Sequence, residues 1–231
     1  MQQAYQALRV ISEAQTVHIV LASWPGALML KELRVAAEAL HAPGSAGVKA
    51  VVLDFIGPSG DQNEELPETS VELEQARATV RTIPQPVLAL ARVSLSPAAC
   101  SLLEEVDFTL IAHEAELCLP VARGGDDNRI GGMVAARLGY ATWSAPAGSL
   151  NREMERILDM LRAQSALVLR QAKASVRLGT QQDAPASSGQ TQLERLRQVN
   201  KFYLSNVMTT QDAREGLKAF LEKRLPRWQN R

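Results

Sequence analysis

Three short runs of apolar residues, each followed by a turn signal and a stretch of helical spacing, restrict this chain to one class of fold. Val17 to Leu21 (V-H-I-V-L) is the first, and it stops at Ser23-Trp24-Pro25-Gly26. Ala27 to Leu40 then sets Leu30, Leu33, Ala36, Ala37 and Leu40 on one helical face. Ala42-Pro43-Gly44-Ser45 ends that helix, and Val48 to Ile56 reads as a buried strand. Such a β–α–β order predicts parallel pairing, with the helix as a right-handed crossover.

The pattern repeats. Gly57-Pro58-Ser59-Gly60 opens a loop, and Ser70 to Thr82 has helical spacing with Val71, Ala78 and Val80 available for packing. Pro86 to Val93 is a third strand. Ser96-Pro97 starts a helix to about Glu105, because Ser caps free N–H groups and Pro has none to satisfy. Val106 to Ala112 and Glu116 to Leu119 are further strands. The second half differs. Ser149 to Val176 reads as one long helix with Met154, Ile157, Leu158, Leu161, Leu167 and Val168 on its apolar face. Thr180 to Ser188 is a polar loop, Thr191 to Val207 is helical, and Thr209 opens a last helix with Asp212 as the acid of a capping box. The expectation is an α/β core over 1–145 and a helical region over 146–231.

Composition excludes several roles. Lys+Arg and Asp+Glu each number 25, so the net charge is zero and no basic field draws in nucleic acid. Cys100 and Cys118 lack C-x-x-C spacing and read as buried thiols of a reducing compartment. No His, Cys, Asp and Glu fall at metal spacing, so no metal is expected. Met1 to Arg9 has no basic cluster leading into an apolar run, and no segment reaches the length of a membrane span. A soluble cytoplasmic protein is expected.

The tail carries the most specific signal. Asp212-Ala213-Arg214-Glu215-Gly216-Leu217-Lys218-Ala219-Phe220-Leu221-Glu222-Lys223-Arg224 resembles the D-A-x-E-G-x-x-A-F-x-E-K-R ending of enoyl-CoA hydratases. Trp24-Pro25-Gly26-Ala27-Leu28 stands where that family has R-P-x-x-N-A-L. Pro84-Gln85-Pro86-Val87-Leu88-Ala89-Leu90 is similar to P-x-P-V-I-A-A, and Asp107 to Ala112 to D-L-x-I-A. The chain thus resembles the crotonase (enoyl-CoA hydratase/isomerase) superfamily, nearest in appearance to cyclohexadiene-carbonyl-CoA hydratases. The resemblance implies a spiral of β–β–α units with a helical trimerisation region, acyl-CoA as ligand or substrate, no other cofactor, and a homotrimer or hexamer.

The resemblance fails where the chemistry lies. Enoyl hydration needs two N–H donors for the thioester oxygen, a base for water and an acid for the α-carbon. The family supplies the proton transfers from the Glu of G-G-G-C-E and the Glu of L-P-E. Here Ser96-Pro97-Ala98-Ala99-Cys100-Ser101 occupies the first motif, and Val121 follows Leu119-Pro120 in the second. Neither Ser101 nor Val121 replaces a carboxylate. By resemblance, the oxyanion donors map to Ala98 and to Gly60 of a shortened loop, and Ala27 and Leu28 lie near the acyl-CoA entry. Phe220 and Lys223 match positions that meet adenine and phosphate of a CoA held by a neighbouring subunit. The segment after Gly125 is short by about one helical hairpin, which in the family covers the acyl pocket.

Three functions follow as alternatives. One is a pseudoenzyme, acting as an acyl-CoA binder or as the assembly partner of a related enzyme subunit. A second is an active hydratase/isomerase or lyase using a relocated carboxylate, with Glu104 or Asp127 as candidates. A third is a structural subunit with no ligand. Against the second stands the ordinary reading of both acids as solvated carboxylates.

Overall fold

The structure is a computed structural model describing residues 5–22, 25–57, 70–118, 129–180 and 192–230. Gly60, Val121 and Asp127, with the loops expected around them and the polar stretch after Thr180, lie outside the described residues. The main sheet runs in the order β1-β2-β3-β4-β5-β8. These are Leu8–Glu13, Thr16–Leu21, Ala50–Phe55, Val87–Ala91, Phe108–Ala112 and Trp143–Ala145. All pairs are parallel except β1 with β2. A small antiparallel pair, β6 (Glu116–Cys118) and β7 (Arg129–Gly131), stands beside it.

Helices α1 (Ala27–Ala39), α2 (Val71–Thr82) and α3 (Pro97–Leu103) are the crossovers between successive parallel strands and pack in a row. Every residue of β3 and β4 is buried, so both faces of the sheet are covered there. That is why V-V-L and V-L-A-L-A are uninterrupted apolar runs and not alternating ones. On α2 the inward residues are Leu73, Ala76 and Val80, while Val71 and Ala78 are exposed. The expected face was therefore turned: Ser70 caps the helix through Leu73 N–H at 3.1 Å and fixes its start.

Strand β1 was not foreseen. Its hairpin turn is Ala14-Gln15, with φ of 43° and 68°, where a two-residue turn ordinarily takes Asn-Gly. Between β7 and β8 stands a single seven-residue helix, α4 (Gly132–Leu138).

After β8 the described chain is helical. The expected long helix is two: α5 (Leu150–Arg162) and α6 (Ala166–Thr180), broken at Ala163-Gln164-Ser165. Ser165 is buried and begins α6, its Oγ accepting from Val168 N–H at 3.3 Å. Next come α7 (Gln192–Phe202), a π-helical turn at Tyr203–Val207, and α8 (Gln211–Leu221). The cap of α8 is Thr210, which accepts from Ala213 N–H at 3.1 Å, and not Thr209. Asp212 does not close a capping box because it is fully buried in other contacts.

The helical region is tethered to the amino ends of the parallel strands. Lys49 Nζ donates to Arg162 O at 2.6 Å, and Arg162 reaches Thr16 Oγ1 at 3.3 Å. Lys173 Nζ meets Asp107 Oδ2 at 2.5 Å and Gln85 O at 2.9 Å. Arg170 donates to Ala46 O.

Two outcomes follow. Ala14→Asn with Gln15→Gly should raise unfolding free energy by about 1 kcal/mol, read by urea denaturation, because it relieves two left-handed non-glycine residues. Burial pulls Lys173 down to about 8, against the upward pull of Asp107. Between that value and the ordinary lysine range, only the unfolded chain keeps the proton. The folded state therefore gains as pH rises through this window. Denaturation at about pH 7.5 and about pH 9.5 should show wild type gaining stability relative to Lys173→Met at the higher pH.

Candidate functional site

The carboxyl edge of the parallel sheet brings together Ala27, Leu28 and Ala98 of the predicted site residues. Strand β4 ends at Ala91, and the chain turns into α3 at Ser96-Pro97. Ser96 accepts from Ala99 N–H through its side chain (3.2 Å) and from Cys100 N–H through its carbonyl (2.8 Å). Pro97 has no N–H to place. The donor left over is Ala98 N–H, at a residue 1% exposed, and no acceptor for it is found among the described residues. A buried N–H without an acceptor is uncommon and costly, and it suits an incoming oxygen. Ala27 and Leu28, both exposed, open α1 just beyond the carboxyl end of β2, on the same edge.

Gly57 follows β3 at that edge with φ +98°, and a Cβ there would meet the Val93 side chain at 3.4 Å. This left-handed residue immediately precedes the loop expected to hold the second donor, which lies outside the described residues. Beside it lies a pair that pattern reading missed. Arg92 Nε and Nη2 donate to Asp54 Oδ1 and Oδ2 at 2.7 and 3.0 Å, and Asp54 is only 7% exposed. The signal was present, since an acid inside the apolar run V-V-L-D-F must find a partner when buried. The bidentate contact ties the ends of β3 and β4 together.

The carboxylate and hydroxyl groups of α3 serve other ends. Ser101 is half-buried and donates to Ala98 O at 2.7 Å, so its hydroxyl is bound within its own helix. Glu104 caps the far end of α3, toward the amino ends of the strands, and pairs with Arg77 at 2.9 Å. It is therefore carried away from Ala98. Glu105 is buried between Arg77 (2.8 Å) and Arg81 (2.6 Å). Burial alone would push its pKa up, but the two guanidinium groups outweigh that and hold it below the ordinary range. These acids knit α3 to α2 and are not poised to move protons.

Cys100 and Cys118 are half-buried, more open than expected, and Cys118 N–H points at Cys100 Sγ at 3.1 Å. No cluster suited to a metal ion occurs among the described residues. No described helix is long and apolar enough to cross a membrane.

The tail motif turns out to be a clasp. Asp212 accepts from Ser165 Oγ, from Gln229 N–H (2.8 Å) and from Asn230 N–H (2.9 Å). Asn230 Oδ1 in turn accepts from Ala166 N–H at 2.8 Å, and Trp228 Nε1 donates to Ala163 O at 2.6 Å. Glu215 takes both arms of Arg224 at 2.6 and 3.0 Å and the Arg227 N–H at 2.8 Å, and these bonds hold its pKa down at about 2. At Gly216 a Cβ would press on the Trp228 ring at 3.4 Å. Phe220 is 80% exposed and does not pack in the core, and Lys223 adopts φ 52° just past α8. Helix α8 packs on α6, so Phe220 and Lys223 sit on the helical region and not among the groups flanking Ala98.

No protein-family model and no curated protein matches this chain. Solved structures do. An enoyl-CoA hydratase/isomerase from Mycobacterium paratuberculosis superposes with a TM-score of 0.78 at 19% identity, over 99% of this chain and 100% of that one. A putative enoyl-CoA hydratase/isomerase from Mycobacterium abscessus gives 0.77 at 19% identity, over 98% and 100%. A putative enoyl-CoA hydratase from Streptomyces coelicolor gives 0.76 at 20% identity, over 100% and 97%. The chain has the crotonase fold of these structures along essentially its whole length.

The roles of the two acids of α3 separate in a simple comparison. Glu105→Gln should cost about 3 kcal/mol in urea unfolding, since it strands two guanidinium groups. Glu104→Gln should cost under about 1 kcal/mol, since that pair is exposed.

Proposed function

We propose that this chain is a crotonase-family acyl-CoA-binding or assembly subunit that has lost hydratase proton transfer. The observation that carries the reading is the chemistry at the start of α3. Ala98 keeps an N–H without an acceptor among the described residues, while Ser101, at the family's first glutamate position, spends its hydroxyl on Ala98 O. A thioester oxygen can use such a donor, but no base stands beside it on this helix. The sequence adds Val121 at the second glutamate position, which no proton can use. The relocated-carboxylate alternative loses Glu104 to its pair with Arg77. Of its two named candidates, Asp127 is the one left, and it lies outside the described residues.

Assembly into a homotrimer or hexamer belongs to the same reading. Leu217, Phe220, Leu221 and Leu225 expose 55%, 80%, 79% and 87% of their surface along one end of the helical region, a patch suited to association. The Lys223 ammonium stands beside it as a point charge for the phosphates of a CoA bound to a neighbouring copy.

The test is calorimetric titration with CoA and butyryl-CoA, beside a hydration assay on crotonyl-CoA. Acyl-CoA should bind, Lys223→Ala should weaken that binding, and crotonyl-CoA should not be hydrated above the buffer rate. The pair Ser101→Glu with Val121→Glu should restore little turnover, because the shortened loop and pocket cover are also lost. Turnover by wild type that falls with Asp127→Asn would favour the enzyme, and absence of any CoA binding would favour a purely structural subunit.

A further inference from the structure

A cavity lies at the end of the sheet opposite Ala98. It is an open cleft of about 370 Å3 where the starts of β4 and β5 face α6, at the seam between the α/β body and the helical region. Phe108, Leu161, Leu169, Ala172 and Val176 form its apolar wall. The size falls at the lower end of the range for small-molecule pockets, and such pockets favour seams of this kind. It is too small for a nucleotide-bearing thioester.

The charges around it do not all pair. Three carboxylates line the cavity, Glu104, Glu105 and Asp107, and each is engaged. Glu104 lies on Arg77, and Glu105 on Arg77 and Arg81. Asp107 Oδ2 accepts from Lys173 and from Val87 N–H at 2.7 Å. Arg177 also lines the cavity, one helical turn beyond Lys173, and no carboxylate among the described residues stands within ion-pair distance of it. Its positive charge acts on the Lys173 ammonium, opposing Asp107. The cavity thus combines an apolar wall with one guanidinium that has no anion among the described residues.

The geometry points to a binding site for a small amphipathic carboxylate, its head group forked on Arg177 and its apolar body against Phe108, Leu161, Leu169 and Val176. A guanidinium presents two parallel donors that match a carboxylate. The volume admits a body of about ten heavy atoms. Binding would join α6 to the start of β5 and so stabilise the seam. This site and the thioester reading at Ala98 rest on different residues, so either can fail alone.

The experiment uses the full chain with sodium octanoate and, as the uncharged counterpart, octanamide, followed by calorimetry and thermal unfolding. Octanoate should bind and raise Tm, and octanamide should bind about tenfold or more weakly. Arg177→Gln should reduce octanoate affinity by a factor of about ten to a hundred while leaving octanamide unchanged. Val176→Glu, at a wall position 64% exposed and so tolerant of substitution, should also weaken octanoate by placing a fixed carboxylate at the cavity. The proposal is overturned if octanoate and octanamide bind alike, if Arg177→Gln binds octanoate as wild type does, or if neither ligand binds at about 1 mM, the weakest affinity at which a specific site is meaningful.

Discussion

Two buried lysines hold the architecture together. Lys49 and Lys173 project into the amino ends of the parallel strands, where each meets a backbone carbonyl, and Lys173 also meets Asp107. Burying an ammonium is costly unless donors and charge are matched, and removing one partner of such a group costs about 3–5 kcal/mol. These tethers fix where α5 and α6 lie against β3 and β5. They brace the amino ends of the sheet and leave the carboxyl edge, where open parallel sheets generally bind ligands, free of these tethers.

The same division explains the fate of the acids. Those near the amino ends, Glu104, Glu105 and Asp107, are bound to Arg77, Arg81 and Lys173. Asp54, a buried acid at the carboxyl edge, is held bidentate by Arg92. Each of these four carboxylates is committed to a cationic side chain. What persists at Ala98 is a backbone donor, which survives side-chain replacement because it belongs to the helix start and not to the residue type.

Strand order and crossovers were legible because buried parallel strands write uninterrupted V-V-L and V-L-A-L-A runs into the sequence. Strand β1 was not, since its turn uses Ala14-Gln15 in place of a recognisable turn pair. The break between α5 and α6 was hidden because its cause is tertiary: Ser165 is drawn in by Asp212, 47 residues away. At the site, Ser101 could be read by its position against the family motif, but the occupation of Glu104 by Arg77 could not, because it depends on two helices meeting. Phe220 and Lys223 matched a motif whose other members, Asp212, Glu215 and Gly216, serve the clasp.

The clasp also has a consequence in time. Asp212 is satisfied by the backbone of Gln229 and Asn230, and the break before α6 is sealed by Trp228 and Asn230. During synthesis, α5, α6 and α8 leave the ribosome before those closing residues do. Until Trp228 to Asn230 emerge, the Asp212 carboxylate lacks two of its donors and the Ala166 N–H lacks its acceptor. The α/β body can settle earlier, but the helical region locks only once Trp228 to Asn230 are free to close on Asp212 and the break before α6.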